Sequence, residues 1–209
     1  MTALLFDMYG VLMRNPGPRG FANLQEILGA DESVWQHYRA LREEYDAARL
    51  SDAAFWATIR ERAGLGDFDV EAATAADCAM ALERDPEMVS LVTALARSGQ
   101  TVGVLSNIPA RLSRIVREQN PWLGELTAVT FSCDIHRAKP EPEAFNAAVA
   151  AFGDGVPAAD VVFFDDRADY CPAARAAGLQ AVQFTGIQTL LAEFDRRNIP
   201  TPHSWSNHA

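Results

Sequence analysis

The sequence predicts an α/β fold, a doubly wound parallel sheet with a helical subdomain inserted after its first strand. Three observations predict it. Five short apolar runs alternate with helix-compatible stretches along the chain. Strands separated in this way become parallel neighbours, because a parallel pair needs a crossover connection. The stretch 21–83, between the first and second runs, carries no strand signal at all.

Taken in order, LLFDMYGVL (4–12) is short enough for one buried strand, with Asp7 where the backbone leaves the sheet. MRNPGPRG (13–20) holds two prolines and two glycines and turns the chain away. Trp35, Tyr38, Leu41 and Tyr45 then recur at helical spacing, and Ser51 can cap a helix carrying Phe55, Trp56 and Ile59. This aromatic stripe reads as the core of a small helical bundle. From Pro86 a helix through Leu91 and Leu95 ends near Ser98-Gly99, and TVGVLS (101–106) is the second strand. A helix over about 110–118 and a third strand around LTAVTFS (126–132) follow, then a helix with proline in its first turn from PEPEAF. VVFFDD (161–166) is a fourth buried strand ending in two acids, a helix over 172–177 stops at Gly178, and LQAVQFT (179–185) is the fifth strand. After a last helix at 187–197, the aperiodic end of the chain is expected to be loose. The expected division is a core of 1–13 and 86–199, an inserted helical unit of 14–85, and a tail of 200–209.

Composition narrows the function. A net charge of −10 argues against a general nucleic-acid binder, which neutralises phosphates with a basic surface, but leaves room for a small anionic substrate held by a local positive field. No run approaches a membrane span, and the first strand begins almost at Met1, so a cytoplasmic location without a leader is expected. The three cysteines, Cys78, Cys133 and Cys171, are far apart and fit packing roles in a reduced compartment. Of the 18 basic residues 17 are arginine, and the single lysine is Lys139. Genomic bias explains the arginines; a site that needs a compact ammonium explains the exception.

Ligands of doubly wound sheets bind beyond the carboxyl ends of the strands, which puts Asp7, Ser106 with Asn107, and Asp165 with Asp166 on one rim. Taken singly, each has a bland reading: a turn aspartate, a helix N-cap, a surface lysine at position 139. Adjacent acids close to Asp7 cannot all ionise cheaply. Lys139 offsets one charge, and a divalent cation bound by hard oxygen ligands settles the remainder, which suits Mg2+.

An acid ending the first strand in FDMYGVL, a hydroxyl ending the second in LSN, a lysine before proline in AKPEPEAF and paired acids in FFDDR together resemble the four ordered motifs of the haloacid dehalogenase-like hydrolase superfamily. The insertion after the first strand resembles that superfamily's helical cap. The resemblance implies a Rossmann-like core with Asp7 as nucleophile, Ser106 and the Asn107 amide as donors to the transferred group, and Lys139 neutralising the nucleophile and substrate oxygens. It further implies Asp7, the Tyr9 carbonyl and Asp166 as direct Mg2+ ligands, with Asp165 behind them or paired with Lys139. Tyr9 departs from the pattern. The superfamily's phosphatases usually carry a second aspartate there to protonate the leaving group and activate water, whereas its 2-haloacid dehalogenases carry tyrosine, since halide leaves without a proton.

The two features point in opposite directions, because those dehalogenases need no metal and have neutral residues where this chain has Asp165 and Asp166. The acid pair fixes the charge of the site, whereas a missing general acid costs about 100- to 10,000-fold in rate and leaves the reaction type intact. The expected activity is therefore a Mg2+-dependent phosphatase acting on a small phosphorylated metabolite. A metal-independent dehalogenase and a weakened binding or regulatory protein are the alternatives. Tyr170 stands where asparagine is common and narrows the site. Arg14, Arg42, Arg49, His136 and Arg137 are open between substrate contacts and solvated surface roles.

Overall fold

A computed structural model describes residues 2–202 and Trp205. Five parallel strands, β1 (Ala3–Phe6), β2 (Val102–Ser106), β3 (Ala128–Phe131), β4 (Val161–Asp165) and β5 (Gln180–Gln183), form one sheet in the order β3-β2-β1-β4-β5. Phe6 is in register with Val104 on one side and Phe164 on the other, so β1, β2 and β4 end on one rim. The chain reverses its direction of travel across the sheet between β1 and β4, and a crevice opens at such a reversal.

Ten α-helices accompany the strands among the described residues. Four lie in the stretch inserted after β1: α1 (Pro18–Leu28), α2 (Val34–Asp46), α3 (Asp52–Ala63) and α4 (Val70–Ala79). The others are α5 (Pro86–Arg97), α6 (Ala110–Gln119), α7 (Ser132–Ile135), α8 (Pro142–Ala150), α9 (Tyr170–Ala176) and α10 (Ile187–Arg196). None is long and apolar enough to cross a membrane.

The strands are apolar throughout because both sheet faces are covered. Leu4, Phe6, Val104 and Phe164 pack in one cluster with residues of α5, α6 and α10. Ala3, Leu5, Leu105 and Phe163 face the opposite way, towards α8 and α9. This alternation is the two-residue period of a strand. Helices α1 to α4 have a core of their own, in which Tyr45 stacks on Phe55 at 4.1 Å between centroids and Trp56 donates to Thr74 Oγ1 at 2.9 Å. Ser51 caps α3 as its sequence predicts, its hydroxyl accepting from Ala54 N at 3.2 Å.

Two stretches differ from the sequence reading. The run 4–12 is strand only as far as Phe6. Beyond Asp7 the backbone folds on itself: Leu12 N and Met13 N both donate to Met8 O, at 2.8 and 2.7 Å. Val11, Leu12 and Met13 are therefore buried by a turn, and apolarity alone does not distinguish that from a strand. At the other end, positions 203, 204 and 206–209 of the expected loose tail lie outside the described residues. Trp205, within the same tail, is buried in the cluster formed with α5 and α10, and its backbone N–H donates to Pro202 O at 3.0 Å.

Candidate active site

The rim of the sheet carries a compact charged cluster. Asp7 follows β1 directly, its N–H donating to Phe164 O at 2.8 Å, so the β1–β4 ladder fixes where its carboxylate points. Lys139 Nζ lies 2.7 Å from Asp7 Oδ1 and 2.6 Å from Asp165 Oδ2, and its side chain is only 1% exposed. The Lys139 backbone is clamped by Asn107: Lys139 N donates to Asn107 Oδ1 and Asn107 Nδ2 donates to Lys139 O, both at 2.8 Å. The rings of Phe163 and Tyr170 lie 5.3 and 5.1 Å from the ammonium and wall it from water.

Asp165 ends β4, and its second oxygen accepts from Arg167 N at 2.9 Å. Asp166 is held by Asn15, whose Nδ2 donates to Oδ2 at 3.0 Å. Gly10 makes room for it: a Cβ there would come within 2.2 Å of Asp166 Oδ2, and Gly10 also sits at φ +85°, which glycine adopts without strain. Asp7, Asp165 and Asp166 thus offer three carboxylate oxygens within 4.8 Å of one another.

Burial pushes Asp7 up to about 7, with Lys139 opposing the shift and Asp165 adding to it. Desolvation likewise raises Asp166. For Lys139 burial acts downward, but Asp7 and Asp165 outweigh it and hold the ammonium charged. Three carboxylates against one ammonium leave a surplus of negative charge, and an all-oxygen donor set fits a hard divalent cation.

Ser106 is fully buried, its hydroxyl only 3.5 Å from Asn107 O, while Asn107 reaches the cavity. Tyr9 also faces the cavity. Its hydroxyl is buried with no hydrogen-bond partner among the described residues, and burial, then the charge of Asp46, holds it well above the usual phenol range. Of the arginines singled out in the sequence, Arg14 pairs with Glu83 at 2.9 Å and Arg49 with Glu44 and Glu141 at 2.9 and 2.8 Å. Neither lines the cavity. His136 Nδ1 lies 3.2 Å from Ala47 O, and Arg137 is exposed near Glu141.

Arg42 belongs to a cluster that the sequence reading missed. The cavity, about 610 Å³, opens over Asp7, Lys139 and Asp166 on the sheet side and over Arg42, Asp46 and Asp77 on the helix side. Arg42 Nη2 lies 2.7 Å from Asp46 Oδ1, and Nη1 lies 3.1 Å from Asp77 Oδ2 and 2.9 Å from the Tyr38 hydroxyl. That hydroxyl donates to Asp77 in turn. Ser132 Oγ, beside the end of β3, donates to Asp46 O at 2.6 Å and ties the end of α2 to the sheet. The four-residue spacings of Tyr38, Arg42 and Asp46, and an acid at 77 among alanines, are the available signals in the sequence.

Burial raises Asp46 to about 6, Arg42 opposing and Asp77 reinforcing the shift. An acid whose folded pKa exceeds its unfolded value of 3.8 binds protons in the folded state, so this residue's contribution to stability falls as pH rises from 3.8 to about 6. Asp46→Asn removes that dependence. Its melting temperature relative to wild type is expected to increase between pH 4 and pH 7, by the equivalent of about 1–3 kcal/mol, and thermal melts across that range check the sign.

Comparison with known proteins agrees with this fold. A family model described as haloacid dehalogenase-like hydrolase matches residues 1–178. Phosphatase MT3486 of Mycobacterium tuberculosis is 40% identical over 86 residues, a match covering 41% of this chain and 39% of the relative. The chain thus matches about two fifths of that relative's length. Among solved structures, the HAD family enzyme bt-2542 of Bacteroides thetaiotaomicron, in complex with magnesium and inorganic phosphate, superposes with a TM-score of 0.73 at 21% identity, covering 91% of this chain and 98% of that one. The L-2-haloacid dehalogenase of Xanthobacter autotrophicus, with chloropropionic acid covalently bound, gives 0.63 at 19% identity, covering 99% and 87%. At these identities the structural likeness speaks for the fold, and the family match over most of the sequence speaks for descent: the chain belongs to the haloacid dehalogenase-like hydrolases.

Proposed function

We propose that this hydrolase is a Mg2+-dependent phosphatase acting on a small phosphorylated metabolite, with Asp7 as nucleophile. The observation that carries this reading is the group of three clustered carboxylates balanced by the single buried Lys139. Asp7, the Tyr9 carbonyl and Asp166 would hold the ion, with Asp165 tied to Lys139. When bound, Mg2+ supplies charge stabilisation for the phosphate oxygens and keeps Asp7 ionised. An Asp7 oxygen attacks phosphorus while the bond from phosphorus to the leaving oxygen breaks, giving an aspartyl phosphate. The departing oxygen takes its proton from solvent; water then attacks phosphorus and releases its proton to solvent as the bond from phosphorus to the Asp7 oxygen breaks, freeing Asp7 and inorganic phosphate. Lys139 screens the nucleophile from Asp165, and Asn107 keeps Lys139 in place. Helices α1 to α4 serve as the cap, closing residues 14–85 over a core of 1–13 and 86–199.

Tyr9 favours a second reading, a metal-independent 2-haloacid dehalogenase. Against it stand Asp165 and Asp166, which without a cation repel a haloacid's own carboxylate.

One experiment separates the two. The metal-free protein is titrated with Mg2+ by calorimetry and melted with and without the ion, and phosphate esters and 2-chloropropionate are then assayed with and without chelator. Under the phosphatase reading, Mg2+ at about a hundredfold its Kd adds about 2.7 kcal/mol of stability, and ester hydrolysis stops with chelator. No Mg2+ uptake, with chloride released in chelator, would replace this reading with the dehalogenase.

A further inference from the structure

The helix side of the cavity carries one more negative charge than it neutralises. One guanidinium, Arg42, faces two buried carboxylates. Asp77 is well served, accepting from both the Tyr38 hydroxyl and Arg42 Nη1. Asp46 pairs with Arg42 Nη2 at 2.7 Å, and its Oδ1 has no other hydrogen-bond partner among the described residues. Arg39 and Glu43, exposed at the cavity's edge, offset each other and leave this balance unchanged.

A second observation points to the same place. Tyr9 lines the same cavity as Asp46, and its hydroxyl is buried with no hydrogen-bond partner among the described residues. A buried hydroxyl left without a hydrogen bond is costly, so it marks a position where a ligand atom completes the site.

We infer that Asp46 and the Tyr9 hydroxyl form an ammonium subsite, and that the phosphorylated substrate carries a primary amine on the part that leaves. The amine half of this rests on the cavity, and the phosphate half on the phosphatase reading above. An ammonium donates to the Asp46 carboxylate and to the Tyr9 oxygen at once, and its charge cancels the surplus. A neutral hydroxyl bridges the same two atoms but leaves the extra charge buried. A carboxylate or second phosphate adds to that charge and is disfavoured. The phosphoryl group occupies the opposite end, over Asp7 and Lys139.

The test measures binding, so it does not depend on turnover. With Mg2+ present, calorimetry compares a homologous series of ω-aminoalkyl phosphonates with ω-hydroxyalkyl phosphonates of equal length. At the best length the amine is expected to bind at least about tenfold more tightly, the usual worth of hydrogen bonding to a charged group. Asp46→Asn should bring the ratio near one, and Tyr9→Phe, which removes only the hydroxyl, should reduce it. The subsite is overturned if hydroxyl compounds bind as well as amines at every length, or if the preference survives in both variants. The matching phosphate esters and p-nitrophenyl phosphate are assayed alongside. If none is hydrolysed, the phosphatase reading fails, and the binding ratio still decides the amine subsite.

Discussion

Asp7→Asn is expected to lower kcat for phosphate esters by about 10,000-fold or more, the scale on which an enzyme loses its covalent nucleophile. The amide keeps the shape of the carboxylate but cannot attack phosphorus, and no other carboxylate is placed to replace it: Asp165 is tied to Lys139 and to Arg167 N, and Asp166 to Asn15. The fold should not suffer. Because burial holds Asp7 near 7, its ionised form contributes no stability at neutral pH; the native carboxyl prefers its proton, and that preference weakens stability as pH rises from 3.8 towards 7. The variant should therefore melt at or above the wild-type temperature at pH 8 in the absence of metal. Lys139 keeps Asp165 as partner, so no buried ammonium is stranded. Single-turnover assays with equal amounts of folded protein check the loss. A variant that melts normally and keeps more than about one part in a hundred of the activity would remove Asp7 from the nucleophile's role.

The residues of the sheet side were legible because strand ends are legible. An apolar run that stops at a polar residue states both that the run is buried and that the polar residue lies at its edge, and the three such runs ending at Asp7, Ser106 and Asp165 lie on one rim when their strands are parallel neighbours. Lys139 announced itself through composition. Its clamp did not: Asn107 reads as a helix cap, and only the meeting of β2 with the loop before α8 turns its amide towards the Lys139 backbone. Asn15 and Gly10 were hidden for the same reason, since their roles depend on Asp166, more than a hundred residues away in sequence. The helix side was the least legible. Periodicity identifies which face of α2 turns inward but not which helix it meets, so Arg42 and Asp46 could be read as a surface pair until α4 brought Asp77 against them. The aromatic stripe of the same helices is core, as its spacing indicated, because a period of three and four needs no knowledge of the partner.

Tyr9→Asp is expected to raise kcat for alkyl phosphate esters by about 100-fold or more, within the range attributed to a positioned general acid. By the resemblance of its first motif, Tyr9 stands where the family's phosphatases usually hold their second aspartate, and burial holds its phenol well above its ordinary value, so it keeps its proton when an alkoxide departs. An aspartate there would stand in the same environment, where burial and then the Asp46 charge raise a carboxyl while Arg42 opposes them. It would then be protonated in an appreciable fraction near neutral pH, as an acid catalyst must be. The substitution also removes a packed ring, so melting should fall by the equivalent of about 1–3 kcal/mol, and rates are compared per folded molecule. The gain should depend on the leaving group. For p-nitrophenyl phosphate, whose phenolate departs without help, the variant should differ little from wild type, and the slope of log kcat against leaving-group pKa should flatten. An equal gain for both ester classes would mean that the substitution acts on binding or metal affinity. No gain for either would mean that proton transfer to the leaving oxygen does not limit this enzyme, and that the tyrosine suits a substrate whose leaving group needs none.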